Sequence, residues 1–249
     1  CHLHHIELSD IENPIDYCIN QAIESEVSQL LCVAITLEEH EQLCQISEEY
    51  TCVDISTGQH PNDTLLWDQE QKDRLFLQAK SPLVIAIGET GLDYFRNDEV
   101  STQKTAFADH IACAIEHKKP LIIHTRDAFN DTIDMLKAHN AGDAGGIFHC
   151  FTGDKEQARR ALDLGFHLSF SGIITFKNAH QIREAAKYTP LDRTLIETDS
   201  PYLSPHPLRG QVNQPKHVIY VCEKIAEIHH IAPAEVSEIT DTNFKQLFK

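Results

Sequence analysis

The stretch LVIAIGETGLDYF, residues 83–95, decides how the chain is read. Residues 83–87 form an unbroken apolar run. No polar residue alternates within it, so it reads as a strand buried on both faces. Gly88 closes the run, and Glu89 follows at once. A carboxylate set at the end of a buried strand has to be paired, hydrogen-bonded or put to chemical use.

Working outward, the same pattern recurs. The runs LLCVAI (30–35), CVDIS (52–56), LIIH (121–124), GIFHCF (146–151), HLSFS (167–171) and TLIET (194–198) are short and rich in Val, Ile, Leu or Phe. Amphipathic stretches lie between the runs, at 38–50, 63–80, 101–119, 127–139, 154–165 and 178–188. Residues 214–230 and 233–248 read as further helices. Asp63, Ser101, Asp127 and Asn178 are expected N-caps, and Gly165 is an expected C-cap. Trp67 and Phe76 are expected in the core, as are the thiols of Cys32, Cys52 and Cys113.

Strands alternating with helices give a parallel sheet. The expectation is one domain over 1–249, a (β/α)8 TIM-type barrel, whose usual size is about 250 residues. Its first strand is expected to lie largely upstream of Cys1 and to end at CHLHH (1–5). A doubly wound open sheet is the alternative. The polar residues argue against it. Glu89, His124, His149 and Asp199 each follow a strand run, and His2 ends the presumed first one. In a barrel such ends share one mouth. Imidazoles and carboxylates together suit Zn, Mn or Mg, and a carboxylate such as Glu89 suits a bridge between two ions.

Composition narrows the class. The 249 residues carry 21 Lys and Arg against 38 Asp and Glu, a net charge of −17. No basic stripe of the kind that grips long nucleic acid is present. No apolar run reaches the ~20 residues of a membrane span. Eight cysteines without a C-x-x-C pair read as free thiols of a reducing compartment, which makes the cytoplasm the expected location.

Four spaced motifs sharpen this: GETGLDYF (88–95), PLIIHTRDA (120–128), HCFTG (149–153) and ETDSPYL (197–203). GQHP (58–61) and RGQVNQP (209–215) flank them. Together they resemble the TatD family of metal-dependent deoxyribonucleases, among the amidohydrolase-like barrels. The resemblance implies two divalent ions (Mg2+, Mn2+ or Zn2+) and a DNA or other nucleic-acid substrate. It implies His2, Glu89, His124, His149 and Asp199 as metal ligands, with Glu89 and Asp199 catalytic. In the family pattern Cys1, His2 and Leu3 are the last positions of an H-C-H-L motif. His2 is then half of a ligand pair whose other His is expected directly before Cys1. His4 stands where the family usually has Asp; its spacing from His2 is a chance copy of the motif, with a substitute ligand as the alternative.

The remaining site candidates each carry a second reading. His60 is either a pocket residue or a loop cap. Arg126 faces either a phosphate or Asp127. Arg209 and Asn213 contact substrate or order their loop. Asp93 supports a ligand imidazole from behind or makes a turn after Gly91. Thr90 and Phe95 depart from the usual family residues, aliphatic and Tyr. The functional expectation is a metal-dependent hydrolase, an exonuclease-type DNA phosphodiesterase. The alternatives are a metallohydrolase of another bond, such as an aminoacyl-tRNA ester or small amide, and a non-catalytic binding protein on the same barrel.

Overall fold

A computed structural model of the protein describes residues 1–96 and 99–248. Its strands are β1 (Leu30–Cys32), β2 (Val53–Thr57), β3 (Val84–Asp93), β4 (Leu121–Arg126), β5 (Gly146–Phe148), β6 (His167–Phe170) and β7 (Thr194–Ile196). All seven fall on the apolar runs. Their order in the sheet is the chain order, β1 to β7. The pairs β2–β3, β3–β4, β4–β5 and β6–β7 are parallel. A doubly wound sheet reverses its strand order part-way; this one does not, and the winding is that of a TIM-type α/β barrel.

The helices are α1 (Pro14–Glu24), α2 (His40–Glu49), α3 (Gln69–Gln78), α4 (Val100–His117), α5 (Phe129–Ala138), α6 (Lys155–Asp163), α7 (His180–Tyr188), α8 (Val218–His229) and α9 (Pro233–Phe248). Helix α1 is absent from the sequence reading. Its signal is local: Asn13 caps it by accepting from the Asp16 N–H at 3.2 Å, and Pro14 occupies the first turn. The predicted N-caps need correction. Asp63 lies in a 3-10 turn, and α3 starts later, on Asp68, whose carboxylate accepts from the N–H groups of Glu70 and Gln71. Ser101 lies inside α4, and Ala128 and Ala179 hold the cap positions expected of Asp127 and Asn178. Gly165, at φ +84, follows α6 as expected.

Two compact units make up the chain. One comprises residues 31–149 and 163–166 with Leu247 and Phe248; the other comprises 1–30, 150–162 and 167–246. In the first, Ile55, Ile87, Leu92, Phe107, Leu121, Ile123 and Phe148 are fully buried. In the second, Leu3, Ile19, Leu168, Phe170, Val221 and Ile225 fill the interior. Trp67 and Phe76 are half-buried rather than core, and so is Cys52. Trp67 lies ahead of α3 and donates its indole N–H to Asp109 at 3.0 Å. All eight cysteines are free thiols. Among the described residues no helix is long and apolar enough to cross a membrane.

Candidate metal centre

Strand β3 runs on past Gly88 to Asp93, so Glu89 lies within the strand. The β3–β4 register shifts between Ile87 and Thr90. An irregularity of this kind re-aims a side chain, and Glu89 sits in it. Beyond it Gly91 pairs with His124 of β4. A Cβ at Gly91 would collide with the His124 carbonyl oxygen; the missing side chain lets the two strands approach here. His149 follows β5 by one residue, its N–H donating to the Ile123 carbonyl at 3.1 Å.

These elements gather imidazoles around one carboxylate oxygen. Glu89 Oε1 is 2.8 Å from His124 Nδ1, 2.8 Å from His149 Nε2 and 3.5 Å from His60 Nε2. The donor atoms of His60, Glu89 and His124 all lie within 4.8 Å of one another. Glu89 with the imidazoles of His124 and His149 is a donor set that fits Zn, Mn or Mg. Burial alone would raise the Glu89 carboxyl, but His149, His60 and the hydrogen bonds from His124 and His149 hold it well below the usual carboxylate range. Burial pushes His60 down to about 4, so this imidazole is neutral at pH 7. His124 moves the other way: burial lowers it, and its contacts with Asp93 and Glu89 more than offset that and raise it.

Asp93 contacts both His124 and its own turn. Its Oδ2 is 3.2 Å from His124 Nε2, and its Oδ1 accepts from the N–H groups of Phe95 at 2.9 Å and Arg96 at 3.2 Å. Burial raises its pKa, but the contact with His124 and these two N–H donors more than offset that and hold it well below the usual range. Buried Gln103 clamps the same residue, accepting from the Asp93 N–H at 2.8 Å and donating to its carbonyl at 2.9 Å. His60 caps a turn and also faces Glu89. Its Nδ1 accepts from the Asn62 N–H at 3.1 Å, capping the 3-10 turn Pro61–Asp63, while Nε2 faces Glu89. A neutral ring that accepts at Nδ1 carries its proton on Nε2.

Gln59, of the GQHP stretch, holds the His60 loop through contacts distant in sequence. Gln59 accepts from the Leu37 N–H at 3.1 Å and donates to the Asp63 carbonyl at 2.7 Å. Its own N–H donates to Nε2 of buried His110 at 2.9 Å. The His110 Nδ1–H donates to the Ala106 carbonyl one helical turn back, at 2.7 Å. Burial pushes His110 down to about 4. Arg126 does not take the ion-pair pose read for it with Asp127. Its guanidinium lies 3.7 Å from the centre of the Phe95 ring.

The other unit brings His2 and Asp199 together. His2 is buried, its N–H donates to the Ser200 carbonyl at 2.8 Å, and Nε2 is 3.3 Å from Asp199 Oδ1. Asp199 has φ 57, in the left-handed region that Asp tolerates better than most residues. Residues Leu3–His5 form a 3-10 turn, so His2 and His4 are not alternate residues on one strand face. Asn213 is fully buried and donates to the carbonyls of Thr198 at 2.8 Å and Tyr202 at 2.6 Å. That commits its amide to ordering the loop. The exposed Arg209 stacks over Phe176 at 3.8 Å.

Known proteins carry the same pattern. A profile of TatD-related DNases matches residues 1–249. The chain belongs to this family. It is 43% identical to the metal-dependent hydrolase YcfH of Escherichia coli K12, over all of this chain and 93% of that protein. It is 31% identical to the 3'-5' ssDNA/RNA exonuclease TatD of Citrobacter koseri, covering 94% of this chain and 92% of that one. Among solved structures, the YjjV TatD homologue of E. coli K12 superposes with a TM-score of 0.91 at 24% identity, covering 98% of this chain and 95% of that one. The fold is the α/β barrel fold of TatD proteins, and the chain is a metal-dependent hydrolase of that family.

Proposed function

We propose that this TatD-family hydrolase cleaves phosphodiester bonds of nucleic acid, DNA first, working from a strand end. The observation that carries the reading is the convergence of His60, His124 and His149 on Glu89 Oε1. Glu89, His124 and His149 would hold a divalent ion. We assign His2 as a further ligand, and Asp199 as a ligand that accepts the proton of the attacking water. Two ions, of Mg2+, Mn2+ or Zn2+, are the proposed complement. When bound, such ions offset the charge of phosphate oxygens and acidify water. The chain's own residues do the rest: His60 presents an Nε2–H toward the Glu89 side of the cluster, and Arg126 offers a guanidinium to phosphate. The relative named as an exonuclease of single-stranded DNA and RNA supports this substrate class. The high negative charge suits contact with a short strand end rather than a long duplex. Eight free thiols fit a cytoplasmic location.

The test uses metal-stripped protein, reloaded with each ion in turn. Substrates are end-labelled single- and double-stranded DNA, RNA, an aminoacyl ester and a small amide. Metal-dependent shortening of the DNA from one end is the expected result. Turnover of the ester or amide alone would overturn the reading.

A further inference from the structure

Phe95 is an exposed aromatic on a rigid turn beside the metal-ligand cluster. The residue is 60% exposed, the largest exposure of any aromatic among the described large hydrophobic residues. An exposed ring is common in itself, but this one is fixed in place. The turn that carries it is tied down by six polar contacts. Asp93 Oδ1 accepts from the Phe95 and Arg96 N–H groups, and Asp93 is clamped on both backbone sides by Gln103. The Tyr94 N–H donates to the Arg126 carbonyl at 2.9 Å. The second oxygen of Asp93 contacts His124. One carboxylate therefore sets the register of the Phe95 backbone relative to the imidazole of a ligand candidate.

Arg126 completes the arrangement. It stands two residues beyond His124 on β4, so both side chains leave the same face of the strand. Its guanidinium stacks on Phe95 at 3.7 Å from the ring centre. A guanidinium held against an aromatic ring keeps its N–H edge free for phosphate oxygens, while the plane of the pair accepts a flat partner. Nucleobases are flat, and protein aromatics bind unpaired bases by stacking, with little sequence preference.

We propose that Phe95 and Arg126 form the platform that positions the terminal nucleotide: Phe95 stacks its base and Arg126 holds its phosphate. The proposal rests on the nucleic-acid reading above and specifies it, since a stacked base must be unpaired. Single-stranded ends are the preferred substrate, and Phe95 is a substrate-positioning residue.

The experiment compares wild type, Phe95→Ala, Phe95→Tyr and Arg126→Lys, all metal-loaded. Each is assayed on a single-stranded oligonucleotide with a normal end and on one whose terminal units are abasic. Phe95 is exposed, so the alanine variant should fold; circular dichroism and metal content check this. The wild type is expected to show a KM about tenfold higher on the abasic end, the size of one lost base stack. Phe95→Ala should raise KM on the normal end about tenfold and lose discrimination between the two ends. Phe95→Tyr should restore both. Arg126→Lys, which keeps the charge and loses the planar fork, should weaken both substrates alike. A Phe95→Ala variant that still discriminates between the ends overturns the platform while leaving the nuclease reading intact. A wild type that cleaves no nucleic acid overturns both.

Discussion

His124 is held between two carboxylates: Nδ1 lies 2.8 Å from Glu89 Oε1 and Nε2 lies 3.2 Å from Asp93 Oδ2. A neutral imidazole donates only one proton. Both contacts are favourable only if the ring is protonated or if a cation lies on the Glu89 side. Asp93 holds one ring nitrogen of His124; were a metal bound on the Glu89 side, as proposed, this would be the arrangement by which an outer carboxylate tunes a ligand imidazole.

Metal affinity should consequently depend on pH. On the proposed assignment a metal would compete with a proton on His124; burial lowers the pKa of this ring, and Asp93 and Glu89 more than offset that and raise it. Binding releases that proton. Affinity should fall by about tenfold per unit as pH drops below the raised His124 value. Metal titrations between pH 8 and pH 5 read this directly. An affinity flat across that range would show that His124 is not a ligand.

Substitutions at the two carboxylates should differ in severity. Asp93→Asn keeps an oxygen for the Phe95 and Arg96 N–H groups and weakens the hold on His124. The expected loss is about 10- to 100-fold in metal affinity or activity. Glu89→Gln removes the charge shared by three imidazoles and should cost more, with metal content falling from the proposed two ions per chain to about one or fewer. Equal losses in the two variants would contradict the central place given to Glu89.

His60 should separate from the ligands. Its Nδ1 accepts the Asn62 N–H, which leaves the proton on Nε2, so it can donate a hydrogen bond but offers no lone pair to an ion there. His60→Ala is expected to retain its metal and lose about 100-fold in turnover, the scale for removal of one positioned donor. Loss of an ion from this variant, measured by elemental analysis, would make His60 a ligand instead.

The strands were legible in the sequence because each is a short run rich in Val, Ile, Leu or Phe between amphipathic stretches. Glu89, His124, His149, His2 and Asp199 were legible because a polar group at the end of such a run is chemically conspicuous. Helix starts were not. Asp127 (φ 53) takes a left-handed backbone instead of capping, and Asp63 closes a 3-10 turn, because tertiary contacts outweigh a capping preference worth ~1 kcal/mol. The Gln59–His110 link was invisible for another reason: it joins residues 51 positions apart, and no local pattern encodes such a pair.

Chelation should abolish hydrolysis without unfolding the protein. Glu89, His124 and His149 contribute contacts around one carboxylate, while the apolar interior of their unit is built from other side chains such as Ile87, Phe107 and Phe148. Far-UV circular dichroism should be unchanged after EDTA treatment that removes activity. Collapse of both signals together would make the metal structural.

His110 makes a further prediction, about stability. It is fully buried, and burial pushes its pKa to about 4, against 6.5 for an ordinary imidazole. Between those values the unfolded chain binds a proton that the folded chain does not, so stability rises with pH across that window. The contribution is complete above about pH 6.5 and is lost as pH falls towards 4. The shift corresponds to roughly 3 kcal/mol at most. His217, also pushed to about 4 by burial, adds to the same slope. His110→Leu removes one titrating group and leaves the Gln59 N–H without its acceptor, a loss of about 1–3 kcal/mol at pH 7. The variant should therefore start less stable at pH 7, yet lose less on going to pH 5, with the slope of unfolding free energy against pH reduced by about one proton. Urea unfolding at pH 7, 6 and 5 measures both quantities. If wild type and variant lose stability in parallel over that range, His110 is not the neutral acceptor that anchors the Gln59–His60 loop.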